Sequence, residues 1–350
     1  MPAFRPTLAS EVNELKILLI AIALFILACG GFGTNAQPYA QHVAVKELRV
    51  GVLRADGALV PFAEYRNDLW WNPWPEPAPI DEYGVAPKSL NGQPEPWFLR
   101  CGEQAASWYF WSPDDGRIVL RPQKLLEVEN HMDKSWALMT DYPASQTEEN
   151  AAHHQNIGFA FNVDLEAETA IDVKKDSAEA NGILAYIKPA FNGAEAIEVR
   201  RIAAEPQTNA FYLERAFPFS RAAREMVELK LTQLSRSRSS IDGQYIYYFE
   251  SEKQYERPEG HTDWQCYNVS SFKGWLLRGS DGRLAIVNEV FGIADCDRKL
   301  VSGSVRLFSI FRFSGRMYMS TVEHGWEDES YIIYELRENE IEQLLETAGG

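Results

Sequence analysis

Short runs of alternating apolar and polar residues recur along most of the chain. The run from Glu47 to Val52 alternates in this way, and a second apolar run, 58–62, follows Asp56-Gly57. Alternation with a period of two residues predicts a strand with one buried face, and Asp-Gly between two such runs predicts an antiparallel hairpin. Four more hairpins are predicted around the turns Asp115-Gly116, Asp242-Gly243, Asp281-Gly282 and Ser314-Gly315. The β-prone run 331–334 adds a further strand.

Hairpins in succession with little helix predict an all-β protein, with antiparallel hairpins in a β-propeller-like arrangement. The hairpins around Gly57, Gly282 and Gly315 resemble one another, and each has an aromatic-rich strand nearby. The turns are unevenly spaced, whereas blade repeats recur at a nearly fixed period, so paired β-sandwiches are the alternative.

One segment has the spacing of an amphipathic helix, Arg337 to Thr347. Ile341, Leu344 and Leu345 would share one helical face, and Gly349-Gly350 follows as a stop signal. We therefore predict a short C-terminal helix that packs on the sheet.

Two polar segments interrupt the strand pattern, near 143–156 and near 166–181. Neither has a steady hydrophobic period, so we predict loops or an inserted short helix there. The runs on their C-terminal sides, Ile157–Val163 and Ile183–Ile187, are predicted to be strands.

The N-terminal part contains an uncharged apolar stretch, Ile17 to Ala28, that follows Lys16. This stretch is shorter than the roughly 20 residues that span a bilayer and has the length of a signal-peptide core. Thr34-Asn35-Ala36 provides residues that a signal peptidase accepts, so we predict cleavage after Ala36. The rest of the chain would then be secreted or periplasmic.

Two alternatives keep the N-terminal segment. A lipoprotein would be modified at Cys29, although Leu27 is bulky at a position where lipoprotein signals prefer a small residue. An apolar run that continues through Gly33 would form an uncleaved anchor. In all cases residues 1–36 are a signal peptide or membrane anchor, and 37–350 are a single all-β domain outside the cytoplasm.

Composition narrows the function classes. The chain of 350 residues has a formal net charge of −16 and 45% hydrophobic residues, enough for a substantial core. The acidic body repels phosphate backbones, so we expect no nucleic-acid partner, and we expect membrane contact only through the N-terminal segment.

Three cysteines follow the leader: Cys101, Cys266 and Cys296. An odd number allows at most one internal disulfide, and we predict Cys266–Cys296 because these two flank an apparent hairpin. The two pairings with Cys101 remain open. The spacing is not that of a zinc site, and we predict no metal and no cofactor.

Tryptophan is concentrated early in the mature chain, and Trp108 and Trp111 follow shortly after. The predicted binding residues are Trp70, Trp71, Trp74 and Trp97. Exposed indole faces stack on sugar rings or proline-rich peptides, and the prolines between them would stiffen such a surface. The alternative is that the rings close the core.

These patterns favour an exported, non-enzymatic protein of the cell envelope that binds a ligand, a glycan or another protein. The alternative is a secreted glycan-active hydrolase that uses a carboxylate pair, but the sequence does not single out a pair among 50 acidic residues. His324 lies in an acidic segment, 323–329, and is either pH-sensitive or part of a plain loop.

Overall fold

A computed structural model describes most of the chain from residue 47 onward. The described residues are 47–73, 107–112, 115–130, 133–143, 155–206, 208, 217–237, 244–255, 268–294, 303–324, 329–337 and 340–348. They all belong to one compact unit, Val45–Gly350. The predicted signal peptide or anchor, 1–36, and the predicted disulfide partners Cys266 and Cys296 lie outside the described residues.

The first half of the chain forms an antiparallel sheet, called sheet 1 below. Its strands are β1 (Leu48–Arg54), β2 (Ala58–Arg66), β3 (Leu69–Trp71), β4 (Trp108–Ser112), β5 (Gly116–Leu120), β6 (Pro122–Asn130), β7 (Asp133–Thr140) and β8 (Asn156–Phe161). Their order is β5-β4-β8-β1-β2-β7-β6, and β3 pairs with β2. Leu120 of β5 and Leu125 of β6, from opposite ends of this order, pack in the same apolar cluster. Sheet 1 is therefore curled.

Two five-stranded antiparallel sheets follow, and each contains a meander of four consecutive strands. Sheet 2 consists of β10 (Ile171–Asp172), β11 (Lys230–Arg236), β12 (Tyr245–Tyr255), β13 (Asn268–Arg278) and β14 (Leu284–Ala294), in that order. Sheet 3 consists of β9 (Ala167–Thr169), β15 (Ser304–Phe313), β16 (Arg316–His324), β17 (Glu329–Arg337) and β18 (Glu340–Ala348), with β9 on β15.

The predicted hairpins are confirmed where the structure describes them. Ser314 and Gly315 both have positive φ, 50° and 77°, as the mirror-image turn of a tight hairpin requires. This turn joins β15 to β16, which pair from Phe313↔Arg316 outward. The all-β class and the propeller-like succession of antiparallel hairpins are likewise confirmed.

Sheet 3 lies between the other two sheets because its strands have two apolar faces. The side chains that pack with sheet 1 include Phe311, Tyr318, Val322, Tyr331 and Ile333. Those that pack with sheet 2 include Phe308, Ile310, Met319 and Ile332. The far face of sheet 2 is covered by a helix, α1 (Ala178–Ala204).

Helix α1 overturns the prediction of a strand at Ile183–Ile187. Ser177 caps the helix by accepting a hydrogen bond from the Ala180 backbone N–H at 3.1 Å. Its buried side chains recur at helical spacing: Ala180, Ile183, Ile187, Phe191, Glu195, Val199 and Ile202. Pro189 inside the helix and a glutamate on the buried stripe both weakened the helical pattern in the sequence.

A short helix, α2 (Arg221–Glu225), precedes β11. The structure also shows that segment 166–181 contains β9, β10 and the start of α1. Within the described ranges, neither helix is both long and apolar enough to cross a membrane.

The predicted C-terminal helix, Arg337–Thr347, is wrong, because Arg337 ends strand β17 and Glu340–Ala348 form strand β18. Ile333 pairs with Leu345, but Tyr334 pairs with Gln343, so Leu344 is an extra residue in a β-bulge. The bulge gives the strand an irregular apolar spacing that imitates a helical face.

Candidate functional site

A cleft of about 520 Å³ opens where sheet 1 meets the segment that leads to sheet 3. One wall comes from the β4–β5 hairpin, and the other comes from the segment that follows β8 together with β9. The lining residues are Trp111, Ser112, Gly116, Asp164, Leu165, Glu166, Ala167, Glu168 and Thr169. The volume falls within the range of about 300–1,000 Å³ typical of small-molecule sites.

Two hydrogen bonds attach the connecting segment to β4. The Trp111 indole Nε1–H donates to the backbone carbonyl of Leu165 at 2.9 Å. The Thr169 hydroxyl donates to the backbone carbonyl of Trp111 at 3.2 Å. Trp111 and Leu165 also pack on the core between sheets 1 and 3. The acidic segment 164–169 is therefore attached to β4 near both of its ends.

The cleft is acidic because Asp164, Glu166 and Glu168 line it together. Asp164 forms an ion pair with Arg117 at 2.7 Å, with both side chains largely exposed. The Arg117 guanidinium also lies 4.8 Å from the centre of the Tyr109 ring. The described lining residues include these three carboxylates and no lysine or arginine, which favours neutral or cationic ligands over anionic ones.

Sequence reasoning missed these three carboxylates, although the segment carries a local signal. Acidic residues occupy 164, 166 and 168, whereas Leu165 and Ala167 between them pack inward. Alternation of this kind places the acids on the outer side of an extended segment. It does not reveal that Trp111 lies beside them, because that contact joins residues 54 positions apart.

The predicted aromatic binding residues divide between two environments. Trp70 packs edge-on against Tyr65 and Tyr318, with ring centres 5.3 and 5.2 Å apart. Trp71 points the other way and is 43% exposed, with the Arg66 guanidinium 5.3 Å from its ring centre. Trp74 and Trp97 lie outside the described residues. Trp71 is thus available to a partner, whereas Trp70 contributes mainly to the core.

A polar cluster at the seam between sheets 2 and 3 holds titratable groups. Ser304 of β15 donates a hydrogen bond to Glu250 of β12, and Tyr334 of β17 donates to Glu323 of β16 at 2.9 Å. Burial lowers the pKa of Lys273, against the opposing effect of both carboxylates. Burial raises the pKa of Glu323. Glu323 is not among the residues that line the cleft.

A second polar cluster attaches α1 and α2 to sheet 2. Glu195 lies on the buried stripe of α1, and the Lys253 ammonium is 3.1 Å from its Oε2 atom. Arg224 of α2 approaches the same oxygen at 3.4 Å, and Tyr255 donates a hydrogen bond to the other oxygen. Burial raises the pKa of Tyr255, so this hydroxyl keeps its proton. The cluster is a buried ionic contact between secondary-structure elements.

Within the described part of the chain, no three His, Cys, Asp or Glu side chains are grouped as metal ligands would be. Comparison with known proteins gives no family: no family model matches the chain, and neither a curated protein nor a solved structure is significantly similar to it. The chemistry of the cleft is therefore the basis for a functional hypothesis.

Proposed function

We propose that the protein is an exported, non-enzymatic binding protein of the cell envelope and that it binds a glycan in the cleft beside Trp111. The proposal is carried by one observation: an indole and three carboxylates, those of Asp164, Glu166 and Glu168, line the same cleft.

This combination suits a sugar because a pyranose has two chemically distinct sides. Its C–H face packs on an aromatic ring, and its hydroxyl groups donate hydrogen bonds to carboxylate oxygens. Asp164 and Glu166 are exposed to incoming ligand, whereas Trp111 is half-buried and fixed by its bond to Leu165. A rigid aromatic wall with polar groups at its rim lowers the entropic cost of binding.

The charge of the cleft narrows the glycan class. The whole chain is acidic, with a formal net charge of −16, and three of the residues that line the cleft are acidic. Sulfated or phosphorylated sugars would be repelled. We therefore expect a neutral glycan or one that carries amino groups.

The second candidate, a glycan-active hydrolase, is favoured by the grouping of carboxylates in one cleft. Glycoside hydrolysis needs a carboxylic acid with a raised pKa beside an ionised carboxylate. Among the described residues, burial raises the pKa of the Glu323 carboxyl group, which belongs to the seam between sheets 2 and 3. We therefore rank the binding function first.

A glycan array followed by calorimetric titration of the best ligand tests the binding function. We expect Glu166→Gln and Trp111→Leu each to weaken binding by about tenfold, because each removes a direct contact. Trp71→Leu is the matched control, since Trp71 is exposed on β3 and does not line the cleft.

Each outcome of this experiment is informative. Loss of binding in Trp71→Leu alone would assign the ligand to the aromatic surface around β3 and contradict the cleft. A chain that retains no glycan would contradict the glycan class. New reducing ends in the incubated glycan would instead support the hydrolase.

Export is tested separately by fractionating cells that express the full chain. We expect the protein outside the cytoplasm and, after signal cleavage, an N-terminus at Gln37. A lipid-modified Cys29 or an intact N-terminus in the membrane fraction would support the lipoprotein or the anchor. A full-length chain in the cytosol would contradict export.

A further inference from the structure

The end of the β16–β17 hairpin contacts sheet 1 through an ionisable pair. His324 and Glu329 are direct cross-strand neighbours, and the imidazole Nε2 atom lies 2.9 Å from Glu329 Oε2. Asn156, at the start of β8 in sheet 1, donates its Nδ2–H to Glu329 Oε1 at 2.7 Å. One carboxylate therefore joins a histidine of sheet 3 to an amide of sheet 1.

The surroundings of this carboxylate are largely dry. The Glu329 side chain is 11% exposed and the His324 side chain 33% exposed. On the sheet 1 side, Arg54 pairs with Asn156 in the strand register and is itself buried, with its guanidinium 2.7 Å from Asp56. An ion pair in such a place is screened less than one at the surface.

Two further titratable groups of sheet 3 lie close to the pair. Tyr331 of β17 is fully buried, and burial together with the charge of Glu329 raises its pKa, so it stays neutral. Glu323 neighbours His324 in sequence, but its side chain is hydrogen-bonded to Tyr334, on the opposite face of sheet 3. Within the described residues, Glu329 is thus the carboxylate that faces His324.

We propose that His324, Glu329 and Asn156 form a pH-sensitive latch between sheets 1 and 3, and that protonation of His324 tightens it. A histidine side chain can change its charge between pH 5 and 8. A protonated imidazole adds a charge–charge attraction to its hydrogen bond with the carboxylate, whereas a neutral imidazole retains only the hydrogen bond. This inference concerns the fold and does not depend on the ligand cleft.

Protonation of Glu329 sets the lowest pH at which the latch can act. Burial by itself would raise the pKa of Glu329, but hydrogen bonds from His324, Tyr331 and Asn156 outweigh it, and the pKa lies below the ordinary 4.5. A carboxylate whose pKa is lower in the folded than in the unfolded state stabilises the fold at pH values above the unfolded-state pKa. This stabilisation is lost as the pH falls through the folded-state pKa. The latch is therefore strongest where the carboxylate is ionised and the pH is low enough for a histidine to carry a proton.

Double-mutant cycles on the full chain test the latch. His324→Gln, Glu329→Gln and the double variant are unfolded in urea at pH 6 and at pH 8, and the coupling is expressed as a factor in the unfolding equilibrium constant. We expect about fivefold coupling at pH 6 and about twofold or less at pH 8.

The cycle of Asn156→Ala with Glu329→Gln is the matched control, because an amide does not titrate in this range. Its coupling should be the same at both pH values. Equal coupling of His324 and Glu329 at pH 6 and pH 8 would overturn the proposal. The same would hold if the Asn156 cycle followed pH as strongly as the His324 cycle.

Hydrogen exchange of the wild-type chain gives a second measurement that needs no variant to fold. After correction for the intrinsic rate, the amides of 155–161 should exchange several-fold more slowly at pH 6 than at pH 8. Faster corrected exchange at pH 6 would contradict a latch that protonation tightens.

Discussion

Replacement of Glu195 by alanine should destabilise the protein more than any surface change on the same helix. Glu195 is 3% exposed on the buried stripe of α1, and the Lys253 side chain is 2% exposed. The substitution leaves Lys253 and Arg224 buried without the carboxylate that neutralises them. It also removes the acceptor of the Tyr255 hydroxyl.

The expected magnitude follows from the cost of breaking a buried ion pair on one side, about 3–5 kcal/mol. The lost Tyr255 hydrogen bond is not added to this value, because both effects stem from the same carboxylate. Domains are stable by only about 5–15 kcal/mol, so the variant would lose a large part of its stability. Glu195→Gln keeps an acceptor and should cost about half as much, because only the charge is lost.

Equilibrium unfolding in urea, followed by tryptophan fluorescence, measures these differences. Glu198→Ala is the matched control on the same helix, since Glu198 pairs with Arg201 at the surface. We expect the control to change the free energy of unfolding by less than about 1 kcal/mol. If Glu195→Ala is no more destabilising than Glu198→Ala, Glu195 does not anchor α1 on sheet 2.

Two glycine substitutions and one pH profile extend the test to sheet 2 and its seam with sheet 3. A Cβ at Gly274 would lie 2.9 Å from the Glu289 Cα, so Gly274→Ala should cost about 1–3 kcal/mol in urea unfolding, and no loss would contradict this packing. Gly182→Ala, in the open on α1, should instead stabilise by about 0.5–1 kcal/mol, and destabilisation there would argue against the helix. Burial raises the pKa of Glu323 above 4.5. The contribution of Glu323 to the free energy of unfolding is therefore present below pH 4.5 and is lost as the pH rises through the pKa of Glu323 in the folded state. The free energy of unfolding of the wild type minus that of Glu323→Gln should therefore fall between pH 4 and pH 7. A rise would show that burial is not the dominant influence on the pKa of Glu323.

The hairpins could be predicted because their signals are local. Alternation lies within a few residues, and a turn such as Ser314-Gly315 needs positive φ values that few residue pairs provide. No long-range contact has to be known to infer such a hairpin. The position of sheet 3 between two sheets is different, because it requires knowing that both faces of β15 to β17 are apolar and which partners cover them.

The two helix errors have opposite physical causes. In α1, Pro189 and the buried Glu195 obscured a real helical stripe, because the partners of Glu195 lie on β12 and α2. In β18, the bulge at Leu344 produced an apolar spacing that one strand face does not normally show. In both cases a tertiary contact, rather than local propensity, determined the structure.

The cleft, too, could not be predicted locally, because strand pairings between distant parts of the chain form it. The carboxylates at 164, 166 and 168 become a site only because β4 pairs with β8 and brings Trp111 beside the segment that follows β8. That segment then enters sheet 3 as β9, paired with β15. Its two ends are therefore fixed by two different sheets, so the width of the cleft depends on how sheets 1 and 3 are held together. A ligand that fits the cleft would bind both sheets at once, and binding should stabilise the fold in proportion to its affinity for the folded state.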